Sequence, residues 1–308
     1  MNFSSFDYFI ALAHERSYTR AADVLHITQQ SLSAAIAALE HELGCPLVVR
    51  RTPLELTYAG RVFLQYAERF HQTRDEMQRV FCDISENQRG ELRIGITYTR
   101  GRAILPAILP AFQAQFPHVR VILIEKTNQA LLKLLNDGQI DLAIAHFTKA
   151  APGIVLQPFY TEATMLLVHD TLLQANGIDL AAHRDEIEQG DLRILRSCPF
   201  VLGSAEDIVG NLERAAFRQA GYQPIVQAIS SNSETLLALC AEGIGACFCP
   251  ENLTRLAQGT LPFDGVHQLR MPESMSYPIS FGYPKSATAW SVLTDFIRIA
   301  RTQYPPRG

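Results

Sequence analysis

Gln29, Gln30, Ser33, Ala34 and Ala37 fall within SYTRAADVLHITQQSLSAAIAALE, residues 17–40, at spacings that gather them on one side of a helix. Their chemistry suits the edges of base pairs in a major groove. A glutamine amide both donates and accepts, as N6 and N7 of adenine require; a serine hydroxyl does either; an alanine methyl packs on the methyl of thymine. Arg50 and Arg51 follow in a short basic run that suits phosphate or a minor groove, with the Thr57 hydroxyl at a helix start beside them. The helix itself offers Ala34, Ala35, Ala37 and Ala38 where a basic face would be expected. Residues 1–62 hold five arginines against six carboxylates, a net charge of −1. If this segment binds DNA, it does so with few charges.

A second group of candidates stands at the ends of β-like runs: Thr97, Tyr98, Thr99 and Arg100 after LRIGI, His146, Phe147 and Thr148 after DLAIA, Ser204 after PFVLG, and Asn232 between Ser231 and Ser233. Ligands of parallel α/β units lie beyond the carboxyl ends of the strands. Helices expected just after Thr99, Ser204 and Asn232 would aim unpaired N–H groups at a common crevice, which favours a small organic anion, a carboxylate above all. Arg100 adds a full charge unless it points to solvent, and Phe147 and Phe248 offer an apolar wall, although either serves equally well as ordinary core. Thr99 and Ser233 serve equally well as helix caps, His146 as a satisfied loop histidine, and a hydroxyl-lined pocket also suits a sugar.

Nothing in the sequence supports catalysis or a bound cofactor. There is no Walker loop, no HExxH, no GxSxG and no GxGxxG opening a helix. Cys240, Cys247 and Cys249 lie close together but lack CxxC spacing or a histidine at metal-site spacing, so no metal is expected and they read as small buried apolar residues.

The elements that must position these groups follow from periodicity. Phe6, Phe9, Ile10 and Ala13 define a first helix; Tyr18, Ala21, Ala22 and Leu25 a second, capped by Ser17 or Thr19; Leu32, Ile36, Leu39 and Leu43 a third, begun by Thr28 and ended by Gly44. Two short extended runs around Arg50, Arg51 and Pro53 form a wing. From Tyr58 to Gln88 there is no proline and no glycine after Gly60, so one long helix is expected. Its Phe63, Tyr66, Phe70, Thr73, Met77, Val80 and Ile84 alternate steps of three and four, the seam of a coiled-coil dimer, although a helix lying on its own domain shows the same stripe. Beyond NQRGELRIG come two successive α/β series, the second from CPFVLG to GACFCP, and a last helix from Ala287 to Tyr304. Two lobes with a crevice between them make a ligand clamp.

At 308 residues the chain exceeds a single core, and 47% hydrophobic with 19% charged residues is the balance of a soluble globular protein. With no signal core and no apolar run of roughly 18 residues, a cytoplasmic protein without membrane contact is expected.

Over essentially its whole length the sequence resembles the LysR-type transcriptional regulators. The resemblance rests on Ala21, Ala22, Gln29, Ser33, Leu39, Glu40, Leu43, Gly44, Leu47, Arg50, Leu56, Thr57 and Gly60, then on LRIG and ETLLALCAEGIGACFCPE. It implies an α/β protein with a winged helix-turn-helix over 1–60 and a linker and dimerisation helix over 61–88. A two-lobed effector domain like that of periplasmic binding proteins would fill 90–308, lobe I being 90–161 with 268–308 and lobe II 162–267. The implied partners are double-stranded DNA, a small-molecule effector and further copies of the chain, as dimer and often tetramer. In such proteins the loops bearing Thr97, Thr99, Ser204 and Asn232 line the effector site. The departures are Ala34, Ala37 and Ala38 in place of basic residues and Gln30 in place of proline. They leave a second reading open, a small-molecule binding protein whose first unit serves assembly.

Overall fold

The computed structural model describes residues 3–49, 51, 53–84, 90–259 and 263–305. Helices α1 (Phe3–Glu15), α2 (Tyr18–Val24) and α3 (Gln29–Leu43) open the chain. Each of their boundaries has a local cause. The hydroxyl of Ser17 accepts from the amide of Arg20, and that of Thr28 from the amide of Ser31, so each first turn has one orphan N–H satisfied. Gly44 stops α3 in the left-handed region at φ 69°, where its N–H meets the carbonyls of Glu40 and His41. Leu32, Ile36 and Leu39 turn inward to a core shared with Phe9, Leu12, Ala21 and Ala22.

Strands β1 (Val48–Val49) and β2 (Glu55–Leu56) pair antiparallel as the wing. Glu40 on α3 accepts from the amides of Leu47 at 2.7 Å and Val48 at 3.1 Å, which fixes the wing to the helix whose outer face carries the glutamines. A Cβ at Gly60 would collide with the carbonyl of Leu47, so the next helix can cross the wing only with glycine there.

That helix, α4 (Tyr58–Ile84), has 27 residues and spans about 40 Å. Its first half lies on α1. Phe63 is buried with ring centroids 5.6 Å from Phe6 and 5.0 Å from Phe9, and Phe70 stacks on Phe6 at 5.0 Å. Phe63, expected in an intersubunit seam, is therefore a core residue of its own domain, because α1 presents an aromatic face to it. Tyr66, Phe70, Met77 and Phe81 stay exposed. The side chains of Val80 and Ile84 lie outside the described residues.

Lobe I begins with β3 (Gly90–Ile96), α5 (Tyr98–Gln115), β4 (Val119–Glu125), α6 (Asn128–Asn136) and β5 (Leu142–Ala145), with β3 parallel to both β4 and β5. Strand β6 (Ile154–Glu162) leads across to lobe II. There follow β7 (Thr164–His169), α7 (Asp170–Ala175), α8 (Leu180–Glu188), β8 (Pro199–Gly203), α9 (Ile208–Ala220), β9 (Ile225–Ser230), α10 (Ser233–Ala241), β10 (Cys247–Pro250), α11 (Glu251–Ala257) and β11 (Val266–Arg270). The chain returns to lobe I through β12 (Tyr277–Pro284) and ends in α12 (Ser291–Gln303).

Lobe I has the strand order β4-β3-β5-β12-β6. In lobe II, β8 runs parallel to β9, β7 is antiparallel to β10 and β11, and a parallel bridge from Phe200 to Ala246 joins the two groups. The resulting order, β9-β8-β10-β7-β11, repeats that of lobe I role for role. In each lobe the fourth strand is the one entering from the other lobe, and it runs antiparallel to its neighbours. The crossings fall at Ala163 and over 271–276; position 267 lies inside β11, which pairs with β7 as far as Arg270.

Candidate functional site

Two surfaces gather the candidate residues. On α3, Gln29, Gln30, Ala34 and Ala37 are exposed side by side and Ser33 is half-buried, with no lysine or arginine in the helix. Thr28 caps the amide of Ser31, and among the described residues the backbone amides of Gln29 and Gln30 have no partner at the helix start. Arg51 is exposed and ion-paired with Glu55 across the wing, while Arg50 lies outside the described residues. Thr57 corrects its expected role. Its hydroxyl donates to the carbonyl of Pro46 at 2.7 Å and accepts from the amide of Gly60 at 2.9 Å, so it caps α4 and has no proton left for a phosphate.

The second surface is a cleft of about 730 Å³ between the lobes. Thr97, Tyr98, Thr99, Arg100, His146, Phe147, Thr148 and Ser204 all line it. Helices α5, α6, α9 and α10 all begin at its walls. The starts differ from those expected: Thr97, not Thr99, is the N-cap of α5, and Asp207 is the N-cap of α9, three residues beyond Ser204.

Arg100 is the centre of lobe I's wall. It is 8% exposed; its Nη1 donates to the Thr97 hydroxyl at 3.1 Å and to the Ile144 carbonyl at 3.4 Å, and its buried Nε has no partner among the described residues. Burial works against the charge, but Tyr160, Tyr277 and Glu162 around it outweigh that and hold the guanidinium above its ordinary pKa. Thr97, having accepted from Arg100, makes no side-chain bond to the amides of α5. The first turn of that helix keeps its N–H groups free of a side-chain cap.

At the back of the cleft, Glu162 ends β6 where the chain crosses between lobes. It accepts from the Tyr160 hydroxyl at 3.0 Å and from the side-chain and backbone nitrogens of Asn252 on α11 at 2.7 and 3.2 Å. Burial raises its pKa despite the opposing pull of Arg100 and these donors. Asn252 is bonded in turn by Tyr304 beyond α12, so one polar chain runs from lobe II through the crossing to the C-terminal segment.

Other placements correct the sequence reading. Phe248 is not a cleft wall: it is buried, stacked on Phe200 at 6.2 Å and edge-on to Phe217 at 5.9 Å, because β10 is an interior strand. Asn232 caps α10 through the amide of Glu234 and faces a smaller hollow of about 390 Å³, while its neighbours Ser231 and Ser233 reach the main cleft. His146 lines the cleft with its ring tied to the Pro278 carbonyl at 2.9 Å. Lys126, Thr127 and Asn128 were missed, although the strand-end rule, applied to β4 as to β3, points to them. Glu162, Asp207 and Tyr277 carry no such signal. Cys240, Cys247 and Cys249 are fully buried in the core of lobe II.

Both surfaces have counterparts in known proteins. Residues 3–61 match the model of the bacterial regulatory helix-turn-helix protein, lysR family, and residues 85–305 that of the LysR substrate binding domain. The chain is 31% identical over 264 residues to the HTH-type transcriptional regulator YcgK of Bacillus subtilis, covering 83% of this chain and 82% of that one. Among solved structures, full-length CbnR complexed with its target DNA superposes with a TM-score of 0.63 at 24% identity, covering 98% of this chain and 100% of that one. A full-length OxyR variant from Pseudomonas aeruginosa reaches 0.72 at 20% identity, covering 100% and 99%. With its winged helix-turn-helix ahead of a cleft between two α/β lobes, the chain belongs to the LysR family of transcriptional regulators, proteins that bind DNA, respond to small-molecule effectors and oligomerise.

Proposed function

We propose that this regulator reads its operator through the amides, hydroxyl and methyl groups of α3 with few phosphate contacts, and that its effector is a small organic carboxylate held in the interlobe cleft. It acts in the cytoplasm as a homodimer joined along α4, with two dimers forming a tetramer. The observation that carries the effector reading is Arg100: a buried cation with a free Nε, set in the first turn of a helix whose amides lack a side-chain cap. Positive charge and unpaired N–H groups together favour an anion. For the operator, the support is the exposed glutamine and alanine face of α3, held in place by Glu40 and the wing. The exposed stripe Tyr66, Phe70, Met77 and Phe81 supports assembly along α4.

The test has two arms. Fluorescence anisotropy with the DNA upstream of the protein's own gene should show sequence-specific binding that Gln30→Ala relaxes; an N-terminal unit used only for assembly gives none. In thermal-shift assays, carboxylates should raise the melting temperature and Arg100→Ala should abolish the effect. Stabilisation by neutral or cationic compounds alone, unchanged in Arg100→Ala, overturns the carboxylate.

A further inference from the structure

The charges that line the cleft are divided unevenly between its walls: both cations stand on lobe I, and lobe II offers only acids. Lobe I contributes Arg100, with Glu162 behind it, and the uncapped start of α5, together with Lys126 just after β4 beside its exposed neighbour Glu125. Lobe II contributes Glu206 and Asp207, side by side ahead of α9. Among the described residues, no cation lies within ion-pair distance of either acid. Asp207 feels the charge of Arg100 across the cleft but does not reach it. Its carboxylate is also half-buried at the positive end of α9, so that helix start is already neutralised and is a poor second seat for an anion.

From this juxtaposition we propose that the effector is bipolar: a carboxylate seated on Arg100 and the start of α5, and an ammonium group seated on Asp207 and Glu206, as in an amino acid. The inference rests on the carboxylate reading of Arg100 and adds the opposite pole. A dicarboxylate would set its second charge against two acids, and a simple amine would leave the Nε of Arg100 without an acceptor. A single amino acid spans both walls, and its charges replace the pairing that the cleft keeps Arg100 and Asp207 from making directly. Phe147, Leu132, Ile208 and Val209 line the space between and suit an apolar body or side chain. Because the two poles sit on different lobes, occupancy favours the arrangement in which the lobes approach.

The experiment uses the full-length protein and three probe sets. The first holds the proteinogenic amino acids with β-alanine, γ-aminobutyrate and ε-aminocaproate; the second, the matching acids lacking the amine; the third, dicarboxylates from malonate to pimelate. Thermal shift selects binders, and titration calorimetry gives their affinities. At least one amino acid should bind tenfold or more tightly than its deaminated match, and Asp207→Asn should collapse that ratio toward one. Asparagine is as good an N-cap as aspartate, so α9 should keep its start; Glu206→Gln, at an exposed position, gives a second reading with no folding cost. If deaminated acids or dicarboxylates bind as tightly as the amino acids, the ammonium pole is wrong while the carboxylate pole stands. Should no member of the three sets bind, both poles fall.

Discussion

Arg102 on α5 and Glu234 on α10 form an ion pair of 2.5 Å that joins the two lobes beside the interlobe cleft. Arg102 is 44% exposed, so the pair contributes on the order of 1 kcal/mol or less to holding the lobes together. That suffices to bias an equilibrium several-fold without locking it. Arg102→Ala should shift the interlobe distance, read from paired spin labels, toward a wider distribution, and the charge reversal Arg102→Glu with Glu234→Arg should restore it. An unchanged distribution in Arg102→Ala removes the latch.

Operator binding should depend unusually weakly on salt. With Arg50, Arg51 and at most Arg16 or Arg20 near phosphates, a slope of about −0.9 per neutralised phosphate gives roughly −2 to −4 per subunit. Gln30→Ala should cost about 1–3 kcal/mol at its own base pair only, whereas Arg50→Ala should weaken binding to all sequences alike. A slope near −10 or steeper per dimer contradicts the charge-poor interface.

For the α4 seam the informative position is Met77. Phe70 also stacks on Phe6, so Phe70→Asp would disturb the DNA-binding domain as well as any dimer. Met77 is 52% exposed in the single chain, with no such second duty. Met77→Asp places a charge where the partner helix would desolvate it and should give a monomer in analytical ultracentrifugation at micromolar concentration. A dimer that survives there places the interface elsewhere.

Glu213 makes stability depend on pH. It is fully buried on α9, accepts from the amide of Gly203 at 2.8 Å, and burial pushes its pKa up from 4.5 to about 8 against the pull of Arg214 and that amide. A folded-state pKa above the unfolded one means that the folded chain holds the extra proton. Its contribution is therefore complete below about pH 4.5 and is lost as pH rises to about 8. Glu213→Gln keeps an acceptor for Gly203 without the charge. Its melting temperature relative to the wild type should climb between pH 5 and pH 8.5; a difference that stays constant over that range rules the titration out.

The lobe II thiols should be inert. Burial pushes Cys198 up to about 11, and Cys240, bonded to Cys247 and buried, is raised well above its ordinary value. Thiolate is the reactive form. Native alkylation followed by mass spectrometry should therefore label no cysteine besides Cys45 and Cys82, whereas denatured protein should take label at all six. Rapid native labelling of Cys240, Cys247 or Cys249 would reopen a redox role.

What the sequence determined by itself was whatever a few neighbouring residues decide. Ser17, Thr28 and Gly44 mark the helix ends because caps act within one turn, and the stripe Leu32, Ile36 and Leu39 shows its period within a single helix. The strand-end rule found Thr97, Thr99, Arg100 and Ser204 because a parallel α/β unit opens at the same end wherever it occurs. Only the tertiary structure decided the rest. Phe63 and Phe70 obey the period of a seam, yet which partner covers a stripe depends on the aromatic face of α1, more than 50 residues away in sequence. Phe248 looks like a wall residue until β7 and β8 enclose it. Asp207 faces Arg100 across a cleft without reaching it, and Glu162 bonds Asn252 at a crossing, only because the chain passes from one lobe to the other and back. Local signals are set by backbone geometry over a few residues, whereas the two charged walls exist only where distant segments are brought together, and no spacing in the sequence encodes that distance.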